Sequence, residues 1–221
     1  MSGRVQSVNI GLPVPGGPKG LPSGIAKLPA PVIEVRAPGP KLGGLGSGVV
    51  GDFLGDRRHH GGDQQAVYAV AREELDWWAG HLGRELPDGM FGENLTTSGL
   101  DVDASIVGEV WNVGTAVLKV TGPRVPCVTF ASRMREKGWV KRFAKRGRTG
   151  AYLAVIEGGE IRSGDAVTVS YVPDHALTVP DVFRAWQGDT ELIRRVLALV
   201  ELDDADRTFF TRRLRAAERS P

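Results

Sequence analysis

Thr121-Gly122-Pro123-Arg124-Val125-Pro126-Cys127 is the stretch around which this sequence is organised. It contains the only cysteine among 221 residues, and it follows a run of apolar residues that predicts a strand. Proline fixes its own φ and restricts the residue before it, so Arg124 and Cys127 should lie on a stiff, extended loop. Such a loop can hold a ligand-binding thiolate in a fixed position.

A lone cysteine has two interpretations. It often packs in a core as a small apolar side chain. Here, however, Arg124 precedes Cys127 by three residues, and an adjacent cation lowers the pKa of a thiol toward the reactive or metal-binding thiolate. The surrounding glycine and prolines are also poor filler for a core strand. These two features favour a thiol at the shaped end of a loop.

The composition limits the number of hydrophobic cores and the kinds of partner that this chain can have. With 41% hydrophobic and 24% charged residues, the chain can bury one core, or one core with a small appendix. A net charge of +2 argues neither for nor against a nucleic-acid partner. One cysteine excludes an intramolecular disulfide, and no apolar run approaches the roughly 18 residues needed to span a bilayer. We therefore expect a cytoplasmic protein without a targeting segment or a membrane partner.

The hydrophobic pattern changes period along the chain. Residues 71–82 have a helical apolar stripe that includes Leu75 and Trp78. Strand patterns occupy residues 4–10, 31–36, 66–70, 107–120, 150–156 and 166–171. The prediction is a mainly β domain, with a few helices, over residues 1–173.

Beyond residue 173 the period is helical. Thr178 and Asp181 are spaced as a capping box, and Asp189 and Asp203 are candidate caps of two further helices. The sequence therefore predicts a small three-helix appendix over residues 174–221.

Three other stretches combine glycine with polar side chains. Ser23-Gly24-Ile25-Ala26-Lys27 suits a phosphate, or is a mobile surface loop. His59-His60-Gly61-Gly62 supplies imidazole donors and a close backbone approach, or is a solvated turn. Gly92-Glu93-Asn94 has the donor and acceptor set that reads a heterocycle edge, or is a turn. A zinc site is not expected, because His81 and His175 fall at no metal-ligand spacing.

Residues 133–148 carry eight basic side chains against one acidic side chain, Glu136. Most such runs are solvated faces. This one could also steer an anionic ligand or bind nucleic acid, although only Trp139 and Phe143 interleave as stacking rings. A nucleic-acid partner is therefore not our expectation.

Four motifs in this order resemble the MOSC family, named for the C-terminal domain of molybdenum cofactor sulfurase, and the helical tail resembles its YiiM-like branch. The motifs are Asp56-Arg57-Arg58-His59-His60-Gly61-Gly62, Phe91-Gly92-Glu93-Asn94-Leu95, Gly122-Pro123-Arg124-Val125-Pro126-Cys127 and Gly164-Asp165. One departure is Asp63-Gln64-Gln65, where the branch commonly has proline-aspartate. The resemblance implies a MOSC-type β-barrel-like domain that binds the molybdenum cofactor.

The resemblance also implies roles for residues. Cys127 matches the family's thiolate ligand to molybdenum, which is chemically sensible beside dithiolene sulfurs. Lys27, after Ser23, resembles the lysine that meets the cofactor phosphate. The positions that match the lining of the pterin pocket are His60, Gly61, Gly62, Gly92, Glu93, Asn94 and Arg124.

The activity implied is reduction of N-hydroxylated compounds, such as hydroxylaminopurine bases, to amines, with Cys127 and His60 catalytic. His60, or an unassigned carboxylate, would donate the proton. Nothing in the sequence resembles a flavin, haem or iron–sulfur site, so electrons should come from a separate redox partner protein. A homodimer is compatible with the sequence. The alternatives are a carrier of cofactor or sulfur without catalysis, and a metal-free cysteine hydrolase using Cys127, His60 and Asn94.

Overall fold

The computed structural model describes residues 2–15, 20–199 and 202–219. Seven strands form a closed ring that contains both antiparallel and parallel pairs. An eighth strand, β2, pairs with β1 outside this ring. The ring order is β10-β6-β7-β8-β4-β5-β1, and pairing of β1 with β10 closes it. The strands of the ring are β1 (Ser2–Gly11), β4 (Val67–Ala71), β5 (Leu95–Ser98), β6 (Val110–Val113), β7 (Ala116–Pro123), β8 (Ala151–Glu157) and β10 (Ala166–Tyr171).

Three short strands lie outside the ring. Strand β2 (Lys27–Ala30) pairs with β1, while β3 (Ile33–Val35) and β9 (Gly159–Ile161) form a separate two-stranded ribbon. The alternating patterns predicted all the longer strands of the ring. They missed β2, β5 and β9, which have only three or four residues and present little periodicity.

The described residues also form six α-helices. They are α1 (Arg72–Leu82), α2 (Val128–Met134), α3 (Trp139–Arg146), α4 (Val179–Gln187), α5 (Thr190–Leu197) and α6 (Asp204–Glu218). The basic run that had no assigned structure forms the end of α2, all of α3 and the turns beside them. Among the described residues, no helix is both long and apolar enough to cross a membrane.

Two hydrophobic clusters hold these elements together. The larger one fills the barrel and includes Trp111 and Leu118, and residues of α4–α6 such as Ile193 and Phe210 belong to it. The terminal helices therefore share the core of the barrel. Their starts are capped as predicted: Thr178 and Asp181 form a capping box, Asp189 accepts from the Leu192 amide, and Asp203 accepts from the Asp206 amide.

The smaller cluster lies under α1, α2 and α3 and is rich in aromatic rings. Phe130 of α2 meets Trp139 and Phe143 of α3 edge to face at centroid distances of 5.3 and 4.9 Å. Trp78 of α1 lies 4.5 Å from the Trp139 ring. Edge-to-face pairs add directional packing to area burial, so the helix that follows Cys127 has a rigid base.

Candidate functional site

Cys127 lies where strand β7 gives way to helix α2, of which it is the N-cap residue. Its side chain is half-buried and packs against the aromatic cluster. Burial opposes ionisation of the thiol, but the His60 ring, the Arg124 guanidinium and the Phe130 amide together lower its pKa to about 6. A thiol with that pKa is mostly thiolate at neutral pH, which is the form that binds soft metals and attacks electrophiles.

Arg124 is a buried cation, 6% exposed. It donates to the Phe91 carbonyl, and its guanidinium lies over the rings of Tyr68 and Phe130 at 4.8 and 4.2 Å. No carboxylate of the described chain forms an ion pair with it. Burial opposes its ionisation, yet interactions that include Cys127 raise its pKa overall. Tyr68 and Tyr152 contribute to this rise together with Cys127, so a Cys127 thiolate is one of the groups that offset the cost of burying the guanidinium.

His60 is brought to Cys127 by the loop between β3 and β4. Gly61 and Gly62 follow it in the left-handed region, at φ values of 86° and 79°. A Cβ on Gly61 would lie 2.7 Å from the Gly46 carbonyl, and one on Gly62 would lie 2.7 Å from the Lys41 amide. Side chains are excluded at both positions, so the two glycines shape the loop that presents His60.

Lys27 lies in a different environment from Cys127, Arg124 and His60. Its ammonium group is 6% exposed and forms an ion pair with Asp52, whose side chain is 1% exposed. The Asp52 carboxylate also accepts from Ser47 Oγ at 2.8 Å and from the Gly11 amide at 2.7 Å. Burial lowers the pKa of Lys27, and Asp52 opposes that effect. The structure thus places this lysine in a buried network, with its charge already neutralised.

Asn94 belongs to the same network. Its side-chain nitrogen donates to the Asn9 carbonyl and to Asp52, each at 3.2 Å. Its side-chain oxygen accepts from the Tyr68 amide at 3.3 Å. The carboxamide is therefore fully used inside the protein, and it makes no hydrogen bond to His60 in the described chain.

Glu93 is completely buried and holds the turn that contains Gly92. Its carboxylate accepts from the Gly89 amide at 2.6 Å, the Phe91 amide at 2.9 Å and the Thr96 hydroxyl at 3.0 Å. Burial raises its pKa to about 7. Because Arg124 binds the Phe91 carbonyl of this turn, Glu93 supports the site through the backbone.

A cleft of ≈ 550 Å³ begins beside the first turn of α2. One wall is the loop that contains Ser23 and Ile25, and the opposite wall is α2 from Thr129 onward. Three arginines, Arg84, Arg133 and Arg135, line it with a single carboxylate, Glu136. We call this the arginine cleft. Its volume suits a small ligand.

The structure sorts the predicted residues into four groups. Cys127, Arg124 and His60 form one cluster, which we call the thiolate site. Ser23 lines the arginine cleft. Lys27, Glu93 and Asn94 bind other parts of the protein, and Gly61, Gly62 and Gly92 shape turns.

Sequence analysis missed several residues that matter here. Asp52 lies four residues before the histidine motif that begins at Asp56, and nothing local indicates that it meets Lys27. Tyr68 lies in a strand and contacts Arg124 through its ring face. Arg133 and Arg135 lie in the basic run, whose charge was noticed, while Arg84 follows α1 and carries no distinguishing signal.

The fold and the site together define a β-barrel protein that presents a low-pKa thiol next to a cationic cleft. Residues 56–168 match the family described as the MOSC domain. A Bacillus subtilis protein, YflK, is 31% identical over 166 residues, which cover 74% of this chain and 75% of YflK. YiiM of Escherichia coli is 31% identical over 210 residues, covering 89% of this chain and 87% of YiiM.

A Gibberella moniliformis protein named a reductase is 28% identical over 203 residues, covering 79% of this chain but 36% of that protein. The crystal structure of YiiM from Geobacillus stearothermophilus superposes with a TM-score of 0.76 at 24% identity, covering 96% of this chain and 99% of that one. The chain belongs to the MOSC domain family, as the four motifs predict, and to its YiiM-like branch, as the helical tail predicts.

Proposed function

We propose that this protein is a molybdenum-cofactor-dependent oxidoreductase that reduces N-hydroxylated compounds to amines. MOSC membership and similarity to a protein named a reductase support the oxidoreductase class. The observation that carries the proposal is the thiol of Cys127, with a pKa of about 6 beside Arg124 and His60. A soft thiolate is a suitable ligand for a transition metal that also binds sulfur.

The residues present fit a molybdenum–pterin group on chemical grounds. Cys127 would supply the protein ligand to the metal. The Arg124 charge has no carboxylate partner among the described residues, so it is free to stabilise an anionic ligand. In the adjoining cleft, Arg133 Nε is buried without a hydrogen-bond partner in the part of the chain that the structure describes. Buried polar atoms are normally paired, so this atom indicates room for a polar ligand.

Reduction of an N–OH group to an amine consumes two electrons and two protons and releases one water. When bound, the cofactor supplies the two-electron redox chemistry. Arg124 holds Cys127 as the thiolate, and the aromatic cluster fixes the loop that carries both. A ring N–H of His60 donates one of the two protons to the oxygen that leaves as water, and the second proton comes from solvent. The electrons come from a separate redox protein.

The cysteine-hydrolase alternative uses Asn94 as its third catalytic residue. The Asn94 side chain is instead hydrogen-bonded to Asn9, Asp52 and Tyr68, which argues against that alternative. The carrier alternative uses the same thiolate and differs from the reductase only in turnover. Turnover is therefore the measurement that separates the carrier from the reductase.

The first test measures molybdenum and pterin in protein produced in a host that makes the cofactor. We expect near-stoichiometric molybdenum in the wild type and loss of most of it in Cys127→Ser, with the fold unchanged by circular dichroism. The second test measures reduction of an N-hydroxylated purine or an amidoxime with an artificial electron donor. Cofactor binding without turnover would support the carrier, and absence of both metal and pterin would contradict the proposal.

The neighbouring histidines offer a matched comparison for turnover. His59 is exposed and pairs with Asp56 at 2.9 Å, whereas His60 faces the thiol. We expect His60→Ala to lower the rate constant about 100-fold, within the range for general acid catalysis, and His59→Ala to leave it near that of the wild type. Equal rates in the two variants would remove His60 from the mechanism.

A further inference from the structure

The arginine cleft contains more positive charge than its own carboxylate can neutralise. Glu136 contacts Arg84 at 3.5 Å and, outside the cleft, Arg142 at 3.3 Å. Neither Arg133 nor Arg135 forms an ion pair with any described carboxylate. Burial lowers the pKa of Arg133, Arg135 and Arg84 lower it further, and Glu93 opposes them. Neighbouring like charges repel each other, and an anion bound between them would relieve that repulsion.

Elsewhere in the same basic run, the arginines have partners. Arg146 meets the buried Glu74 at 2.8 Å, and Arg148 meets Glu74 at 3.1 Å and Asp101. The fold therefore neutralises the arginines at the end of α3 and just beyond it. Among the described residues, it leaves Arg133 and Arg135 without an ion pair where they line a cavity, an arrangement that suits an anionic ligand.

Hydroxyl groups and backbone geometry complete the cleft. Thr129 and Ser132 project from α2 into it, and their side chains bind no other group of the described chain. Arg84 donates to the Met134 carbonyl at 2.6 Å, which covers the negative end of α2. Arg135 ends α2 in the left-handed conformation, at φ 54°. That conformation turns the chain at the mouth of the cleft.

We propose that Arg84, Arg133 and Arg135, together with the hydroxyls of Thr129 and Ser132, form a binding site for a phosphate monoester. Guanidinium groups bind phosphate oxygens in pairs with matched geometry. The site stands on the cleft alone, and only its connection to the reaction rests on the proposed function. Two sources supply this chemistry: the phosphate of the bound cofactor, or the phosphate of an N-hydroxylated nucleotide substrate.

The position of the site agrees with either source. Arg133 follows Cys127 by six residues along α2, which at the rise of an α-helix is about 9 Å between Cα atoms. A single ligand can therefore reach from the thiolate to the arginines. Lys27, the residue that the family resemblance assigns to phosphate, is occupied by Asp52. That lysine is therefore not available to a phosphate from either source, whereas the arginines of the cleft are.

The test uses full-length, cofactor-free protein and does not require the reductase activity. Inorganic phosphate and phenyl phosphate are titrated at constant ionic strength, with sodium chloride as the reference salt. Binding is followed by ³¹P NMR and by the melting temperature. We expect Arg133→Gln to weaken phosphate binding about tenfold, the effect of losing one charge-assisted contact. Arg133→Lys should fall between Arg133→Gln and the wild type.

The matched control is Lys141→Gln, which removes one positive charge from the same run at an exposed position outside the cleft. It should bind phosphate as the wild type does. Circular dichroism checks that every variant is folded. Equal binding by Arg133→Gln and Lys141→Gln, or no binding by the wild type beyond that in chloride, would overturn the site.

Two further measurements distinguish the sources. If the phosphate belongs to the cofactor, Arg133→Gln protein purified from a cofactor-producing host should contain less pterin than Lys141→Gln protein. If the phosphate belongs to the substrate, the Arg133→Gln and Lys141→Gln proteins should contain equal amounts of pterin. In that case the KM of Arg133→Gln for an N-hydroxylated nucleotide should be about tenfold higher than that of the wild type, and its KM for the free base should be unchanged.

Discussion

Two buried cations of this protein, Lys27 and Arg124, have the same exposed fraction of 6% and different surroundings. Lys27 forms an ion pair with Asp52 inside a network of hydrogen bonds. Arg124 has a carbonyl, two aromatic faces and a thiol as neighbours, but no carboxylate partner among the described residues. The first charge is neutralised by the fold and serves stability. The second remains available to the thiolate and to whatever ligand the thiolate binds.

The largest effect should come from breaking the paired cation. Asp52→Asn leaves the Lys27 ammonium buried without a counter-charge, which costs about 3–5 kcal/mol of unfolding free energy. Urea denaturation measures this loss. The double variant Lys27→Met/Asp52→Asn should recover a large part of it, because the uncompensated charge is gone. Asp56→Asn, at an exposed ion pair, should change stability by less than about 1 kcal/mol. If Asp52→Asn is as stable as the wild type, the pairing does not stabilise the fold.

A smaller loss is expected at Glu93, which supports the Arg124 side of the comparison. In Glu93→Gln, a side-chain NH₂ group faces one of the amides that now donate to the carboxylate. An unsatisfied buried donor costs about 1–3 kcal/mol. Denaturation measures the cost, and Glu85→Gln is the control on the neighbouring exposed loop. A loss at Glu93 no larger than at Glu85 would contradict the buried role.

The thiolate site can be titrated directly. The pKa of Cys127 is lowered to about 6, so its alkylation rate should rise with pH up to about pH 7 and then level off. Removing the His60 ring in His60→Ala should raise the pKa by about one unit and move the plateau to higher pH. Iodoacetamide reacts here at a single cysteine, so the rate profile is unambiguous. A profile identical to that of the wild type would exclude contact between the two side chains.

The smallest shift should follow loss of the Arg124 charge. Arg124→Gln removes an attraction that lowers the thiol pKa less than the His60 interaction does. We expect the midpoint of the same alkylation profile to rise, but by less than in His60→Ala. Arg142→Gln, an exposed position outside the site, should not move it. A larger shift in Arg124→Gln than in His60→Ala would reverse the ranking of the two partners.

Sequence patterns predicted the parts of the fold that depend on local physics. Alternation predicted the longer strands, such as β7, and cap residues such as Thr178 predicted the starts of the terminal helices. Short strands such as β5 (Leu95–Ser98) were missed because their pairing depends on the neighbouring strands. The boundary between the barrel domain and the helical appendix stays a prediction, and the terminal helices share the barrel core.

In the candidate site, too, the sequence predicted what depends on neighbouring residues and missed what depends on contacts between distant segments. The two prolines, the lone cysteine and Arg124 are visible in seven consecutive residues, and their chemistry follows from that spacing. The histidine motif made His60 a candidate site residue. Its contact with Cys127, however, depends on the path of the loop between β3 and β4, which local sequence does not determine.

The sequence by itself determined the alternating strands, the capped helices, the stiff thiol loop and the family, because these depend on neighbouring residues and on short motifs. Only the tertiary structure decided which charges are neutralised. Lys27 meets Asp52 across 25 positions, while Arg84 meets the end of α2 across 50. Ion pairing and burial depend on distance in space, and distance in space is set only when the barrel closes.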